Sequence, residues 1–235
     1  MSEKYIKFFE GFALAYGVAD MSTLKVDPES GKQKPIYRWN DEPLTKEVYL
    51  NHLEGTQSIG VQPCNEESEA RFGVIDVDPK NYDDFDKKFF IDIIQNYKLP
   101  LIPILSKSGG LHLYLFMDNF VPAALIKSFL SNLLPLFKLK PDCEIFPKQT
   151  QLTKDSETGQ LNKGNFINLP YFKKSERLAI NLDGTAFSFD QFIAVIESNT
   201  VNAEDLKNIT QSIEEKDLEG VDEEFDDGPP CLAHL

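Results

Sequence analysis

Three short stretches of the chain carry residue types that suit polar chemistry. The first is Gly73-Val-Ile-Asp76-Val-Asp78-Pro79. Residues two apart in a strand share a face, so Asp76 and Asp78 are expected to point one way while Ile75 and Val77 enter the other face. Two carboxylates this close repel each other, and the pair presents the hard oxygen ligands that Mg²⁺ or Mn²⁺ prefer. The alternative is a strand-end pair facing solvent. The second stretch is Ser106-Lys107-Ser108-Gly109-Gly110-Leu-His112. Its two glycines let the backbone approach an anion, Lys107 and the hydroxyls of Ser106 and Ser108 suit phosphate oxygens, and His112 opens the next strand. A tight hairpin turn would account for the same residues without a ligand. The third is Asp142-Cys-Glu144-Ile-Phe-Pro-Lys148-Gln149, followed after a polar loop by Gly164-Asn165-Phe-Ile-Asn168-Leu-Pro170. Glu144 or Asp142, which share strand parity, offers a third metal oxygen or stands exposed at a strand end. Lys148, Asn165 and Asn168 suit phosphate or sugar.

The elements that must hold these residues can be read from periodicity. Ile6, Phe9, Ala13 and Tyr16 at helical spacing predict an amphipathic helix ending near Gly17. Turn signals at Asp27-Pro28 and Ser30-Gly31 predict a hairpin or excursion around Tyr37 to Trp39. Thr45 is placed to cap a helix through Leu53 that stops at Gly55. Strands are expected at 58–61, 72–78, 101–106, 111–117, 144–146 and 166–169, and helices at 83–97, 122–137, 188–198 and 203–215. Gly109-Gly110 is too short to be a crossover, so the fold class is α+β: a mixed or antiparallel sheet backed by helices.

With 235 residues, 41% of them apolar, the chain is long enough for one large domain or one and a half. Cysteines at positions 64, 143 and 231 form no disulfide framework or zinc cluster, which favours a cytoplasmic location. No apolar run is long enough to span a membrane. The net charge of −14 argues against a polyanion partner until its distribution is considered. Residues 211–235 hold nine acids against Lys216, whereas residues 137–177 carry a local excess of Lys and Arg. The stretch 220–230 reads as an acidic linker, and Cys231 to Leu235 regains apolar character as though a further element begins there.

The order of the three stretches is more informative than any one of them. Asp-x-Asp on a strand, then Ser-x-Ser-Gly-Gly-x-His, then an acid before Phe-Pro-Lys resembles the archaeo-eukaryotic primase superfamily, in particular the primase-polymerase domains of phage and plasmid primase-helicases. His52-Leu-Glu-Gly55, Ile59-Gly-Val61, Phe146-Pro-Lys-Gln149 and Asn165-Phe-Ile-Asn-Leu-Pro170 add to the likeness, which covers about residues 45 to 172. The resemblance implies an RRM-like catalytic core with an N-terminal α/β extension, a primase-polymerase domain over 1–212, and an acidic linker with the start of a truncated C-terminal region over 213–235. It implies metal binding by Asp76, Asp78 and Glu144, catalysis by these with His112, and nucleotide binding by Ser108 and His112, to which the residues of the second and third stretches add Ser106, Lys107, Lys148, Asn165 and Asn168. The implied activity is DNA-templated nucleotidyl transfer with Mg²⁺ or Mn²⁺ at a two-metal site. (d)NTPs would make and extend primers on single-stranded DNA in phage, plasmid or mobile-element replication, beside a helicase domain or protein. A catalytically inactive nucleic-acid-binding module and a metal-dependent nuclease are the alternatives.

Overall fold

The computed structural model describes residues 1–26, 33–173 and 175–225. Helix α1 (Ser2–Phe8) ends earlier than the spacing predicts. The chain is drawn out there beside residue 62, where Phe12 N donates to Gln62 O at 2.9 Å. A Cβ on Gly11 would meet the same carbonyl at 2.2 Å. Tyr16, expected on the helix, instead opens β1 (Tyr16–Val26), which pairs with β2 (Gln33–Asn40) in the expected hairpin. The turn signals at residues 27–32 lie outside the described residues. Helix α2 (Lys46–Glu54) follows Thr45 and stops at Gly55, whose φ of 82° suits a residue without a Cβ.

Then come β3 (Ile59–Val61) and β4 (Glu69–Val77). A short 3₁₀ turn over Pro79–Asn81 follows, capped by the Asp78 side chain. Helix α3 (Lys87–Asn96) begins four residues later than expected because Asp86 is its cap, accepting from Lys88 N at 2.9 Å. Strand β5 (Leu101–Leu105) leads through the glycine turn into β6 (Leu111–Pro122). β6 outlasts its expected end at Met117 because β4 remains beside it, pairing Ala70 with Val121 and Glu69 with Pro122. Helix α4 (Ala123–Asn132), β7 (Glu144–Phe146), β8 (Ile167–Asn168) and α5 (Phe189–Asn199) follow, the last closed by a Ser188/Gln191 capping box. Helix α6 (Ala203–Phe225) runs past the expected stop near Glu215 and through Gly220. One glycine costs a helix only about 1 kcal/mol and does not end it. The rest of the expected linker, from residue 226, and the apolar end at 231–235 lie outside the described residues.

The strands form two antiparallel four-stranded sheets, ordered β2-β1-β3-β8 and β5-β6-β4-β7. Alternation along β4 divides the core in two. Ile75 and Val77, with Leu113, Leu115 and Ile145, pack against Phe90 and Ile94 of α3 and Ile126 and Leu130 of α4. On the opposite face Phe72, Val74, Tyr114, Phe116 and Phe146 pack under the first sheet's Val18, Ile59, Val61 and Ile167, with Tyr5 of α1 and Phe192 of α5. Each such aromatic or aliphatic side chain contributes about 1.5–3 kcal/mol by leaving water. Both faces of β4 are therefore apolar for most of its length, and its C-terminal end is where polar side chains emerge. Among the described residues no helix is long and apolar enough to cross a membrane.

Candidate active site

Strand pairing brings the three sequence stretches side by side. Asp76 on β4 lies directly opposite His112 on β6 and, on its other side, opposite Glu144 on β7. Directly opposed residues of antiparallel strands share a face with Cβ atoms about 5 Å apart. The three therefore form one row across the sheet, on the face that carries Val74 and Tyr114. His112 Nε2 is 3.2 Å from Asp76 Oδ1. Asp78 stands beyond the strand end, where it pairs with Lys80 Nζ at 2.8 Å. Glu144 pairs with Lys148 Nζ at 2.7 Å. Each acid thus rests against a cationic or potentially cationic side chain, which answers the like-charge repulsion expected of the Asp76/Asp78 pair.

A cleft of about 300 Å³ runs along these acids, lined by Asp76, Asp78, Tyr82, Lys140, Asp142, Cys143 and Glu144. Asp142 therefore shares the cleft with Glu144, while the register gives Glu144 the place opposite Asp76. Burial raises the Cys143 thiol and pushes the Tyr82 hydroxyl up to about 12, so both are neutral donors at the cleft wall near pH 7. Among the described residues no three His, Cys, Asp or Glu side chains stand close enough together to hold a metal ion as they are arranged here. The donor set still fits a hard divalent cation: the cleft offers carboxylate oxygens from two segments, the end of β4 and residues 142–144, and the lysines that pair with Asp78 and Glu144 can be displaced by a cation. A larger groove of about 720 Å³, between α3, β5 and α5, is mainly aliphatic and contains none of these acids.

The glycine turn is a built loop. Ser106 Oγ accepts from Gly110 N at 3.0 Å and lies 2.9 Å from Ser108 Oγ, and Ser106 N donates to Gly110 O at 3.0 Å. Gly109 has φ +89°, and a Cβ on Gly110 would stand 2.1 Å from Val77 O, so the loop folds directly onto the end of β4 beside Asp78. Lys107 sits at the exposed tip. Lys148 is tied to this side of the molecule by its backbone, whose carbonyl accepts from Lys127 Nζ of α4.

Asn168 belongs to the first sheet and Asn165 to the loop that leads into it. Gln149 bridges to Asn165, its Nε2 donating to Asn165 Oδ1 at 2.7 Å and its Oε1 accepting from Asn165 N at 2.9 Å and from Gln62 Nε2 at 3.0 Å. Asn168 Oδ1 is buried without a hydrogen-bond partner. The basic residues of 137–177 do not form one patch. Lys138 and Lys140 lie over Phe89 and Tyr82 on the α3 side, whereas Lys163 pairs with Asp41 beside the hairpin. Lys174 lies outside the described residues.

One residue was counted in the sequence only as part of that basic stretch. The bridge Ile104↔Ala179 and the Leu105 N to Leu178 O bond at 2.9 Å extend the second sheet beyond β5. Continuing that register sets Arg177 beside Ser106. Arg177 is 9% exposed, donates to Ser58 Oγ at 2.8 Å, and keeps a buried Nε without a partner; among the described residues no carboxylate pairs with it. Burial lowers its pKa, and the nearby Tyr114, Tyr37 and Tyr5 partly offset that. A guanidinium held this way is costly unless an anion arrives. The signal in the sequence is faint: a lone Arg opening the apolar run Leu178-Ala-Ile180, which is a strand with a charge at its entrance.

Residues 18–219 match the family described as the TOTE conflict system, Archaeo-Eukaryotic Primase domain. No curated protein matches the chain.

Proposed function

Because the chain belongs to the archaeo-eukaryotic primase domain family of TOTE conflict systems, we propose that it is a DNA-templated primase-polymerase that joins (d)NTPs into and onto primers. The observation that carries this reading is the row Glu144, Asp76, His112 lying beside the Ser106–Gly110 loop. An acidic end suited to cations and a loop suited to phosphate meet on one face. In the reaction a 3′-hydroxyl oxygen bonds to the α-phosphorus of a nucleoside triphosphate. The bond from that phosphorus to the β-bridging oxygen breaks, pyrophosphate leaves with the electron pair, and the hydroxyl proton goes to water. Asp76, Asp78 and Glu144 would hold Mg²⁺ or Mn²⁺, which when bound lowers the pKa of the attacking hydroxyl and neutralises the leaving oxygen.

The chain's own groups do the positioning. Gly110 lets the loop close on the end of β4, and Ser108, Lys107 and His112 face a triphosphate laid across it. His112 Nε2, already directed at Asp76, can hold a phosphate oxygen close to that acid. Lys148 pairs with Glu144 until substrate charge competes for it, and Arg177 supplies a buried charge on the far side of Ser106. Asn165 supports the sugar side through Gln149, with Asn168 on the adjoining strand β8. The family describes conflict systems; a helicase domain or protein as partner is proposed on the sequence resemblance alone. The test is single-stranded DNA with labelled nucleotides and Mg²⁺ or Mn²⁺, with and without a supplied primer, resolved on a gel. Extension products support the reading, whereas shortening of the DNA would replace it with a nuclease.

A further inference from the structure

The first sheet turns one face to the core and leaves the other open. Trp39 lies opposite Gly17, Gly17 opposite Gly60, and Gly60 opposite Asn168, so these four residues form a second cross-strand row. Tyr37, two residues before Trp39, shares its face and is 45% exposed. Both glycines are filled by one ring: three atoms of Phe166 would stand within 2.5 Å of a Cβ on Gly17, and one of these, Cδ2, would also be 2.3 Å from one on Gly60. Phe166 therefore lies over bare backbone, and Trp39 braces it edge-on with ring centroids 5.0 Å apart at 83°. Phe12 braces Trp39 in turn. Trp39 and Phe166 are thus fixed in orientation yet only half-buried, whereas the ring that braces them, Phe12, is fully buried.

We propose that this open face is a stacking platform for the bases of a single-stranded nucleic acid, with Tyr37, Trp39 and Phe166 as the stacking residues; the proposal rests on the template-copying reading above. Three further observations select that occupant. Aromatic faces held at an open sheet accept any base, because every base has a π-face. The platform is continuous with the proposed nucleotide site through Arg177, which hydrogen-bonds Ser58 just before β3, lies near Tyr37 and adjoins Ser106 by register. Asn168, in the same row, keeps a buried Oδ1 without a partner, an acceptor for a base amino group.

The chain holds a single tryptophan, so Trp39 reports on its own surroundings. The intact chain, in EDTA and without nucleotide, is titrated with a labelled single strand of about 16 nucleotides, a length that fills sites of this kind. Tryptophan emission and the anisotropy of the label are followed together. The expected result is quenching that saturates in step with anisotropy, an about tenfold loss of affinity in Tyr37→Ala with an unchanged salt slope, and recovery in Tyr37→Phe. Anisotropy that rises while Trp39 stays unquenched and Tyr37→Ala binds normally would overturn the platform. So would loss in Tyr37→Ala that tracks a fall in melting temperature and is not recovered by Tyr37→Phe, or sedimentation showing that Tyr37→Ala dissociates a dimer. Primer extension by the same proteins separates the two readings: synthesis with an inert Trp39 removes the platform only, whereas no binding and no synthesis removes both.

Discussion

At Asp76 a single carboxylate faces His112 across one strand and stands opposite Glu144 across the other, so its replacement tests the row directly. Asp76→Ala and Asp78→Ala are each expected to lower synthesis at least about 100-fold in a primer-extension assay. The melting temperature of Asp76→Ala should hold or rise slightly, since like-charge repulsion falls, whereas Asp78→Ala gives up its cap on the Pro79–Asn81 turn and should melt slightly lower while remaining folded. Arg177 makes the complementary case for the phosphate side. Arg177→Met is expected to raise the nucleotide KM about tenfold or more while leaving stability level, because the variant removes a buried charge that has no carboxylate partner. Arg177→Lys should recover part of the KM. A variant that unfolded early with KM unchanged would reassign Arg177 to the fold.

At the scale of elements, α2 is pinned to β3 and to the end of β8 by one buried imidazole. His52 Nδ1 accepts from Ile59 N at 3.1 Å and Nε2 donates to Pro170 O at 2.9 Å, an arrangement that needs the neutral ring. Burial, the largest cause, brings its pKa down to about 4, against an unfolded value of about 6.5. The folded state therefore binds fewer protons than the unfolded state between those values, and stability rises with pH there. The contribution, about 3 kcal/mol, is fully present above pH 6.5 and lost as pH falls toward 4. Urea midpoints measured across that window should show the slope, and His52→Gln should flatten it. His52 was legible in the sequence only as flanking text, because burial depends on partners 7 and 118 residues away. Alternation at 72–78, by contrast, revealed which face Asp76 would take, because strand parity is local. The early end of α1 was hidden for the opposite reason: Phe12 leaves helical geometry to bond Gln62, a partner far along the chain. The same limit concealed that the strands divide into two sheets, because the β3–β8 pairing that closes the first joins residues more than a hundred apart.

For the whole molecule, charge is distributed unevenly enough to act at a distance. Residues 217–235 hold seven acids and no Lys or Arg, so ending the chain at Lys216 takes the net charge from −14 to −7. Lys216 itself is kept, with its bond to Asn96 O at 3.0 Å and its place over Tyr97. The melting temperature should change little, and affinity for single-stranded DNA should hold or rise. Any gain should be clearest at low salt, where the Debye length reaches about 30 Å. A steep loss of stability would instead assign that segment to the folded body. The row across β7, β4 and β6 also fixes where the gene can gain a codon. An extra residue in the loops between these strands is absorbed by the loop, whereas one inside a strand upstream of its site residue inverts the side chains that follow. At β4 such an insertion would turn Asp76 away from His112 and Glu144 and into the layer occupied by Ile126 and Leu130. A scan of single-codon insertions should therefore show synthesis vanishing in narrow windows around β4, β6 and β7, with tolerance across residues 155–160, where the tip of the polar loop has only its own turn to keep.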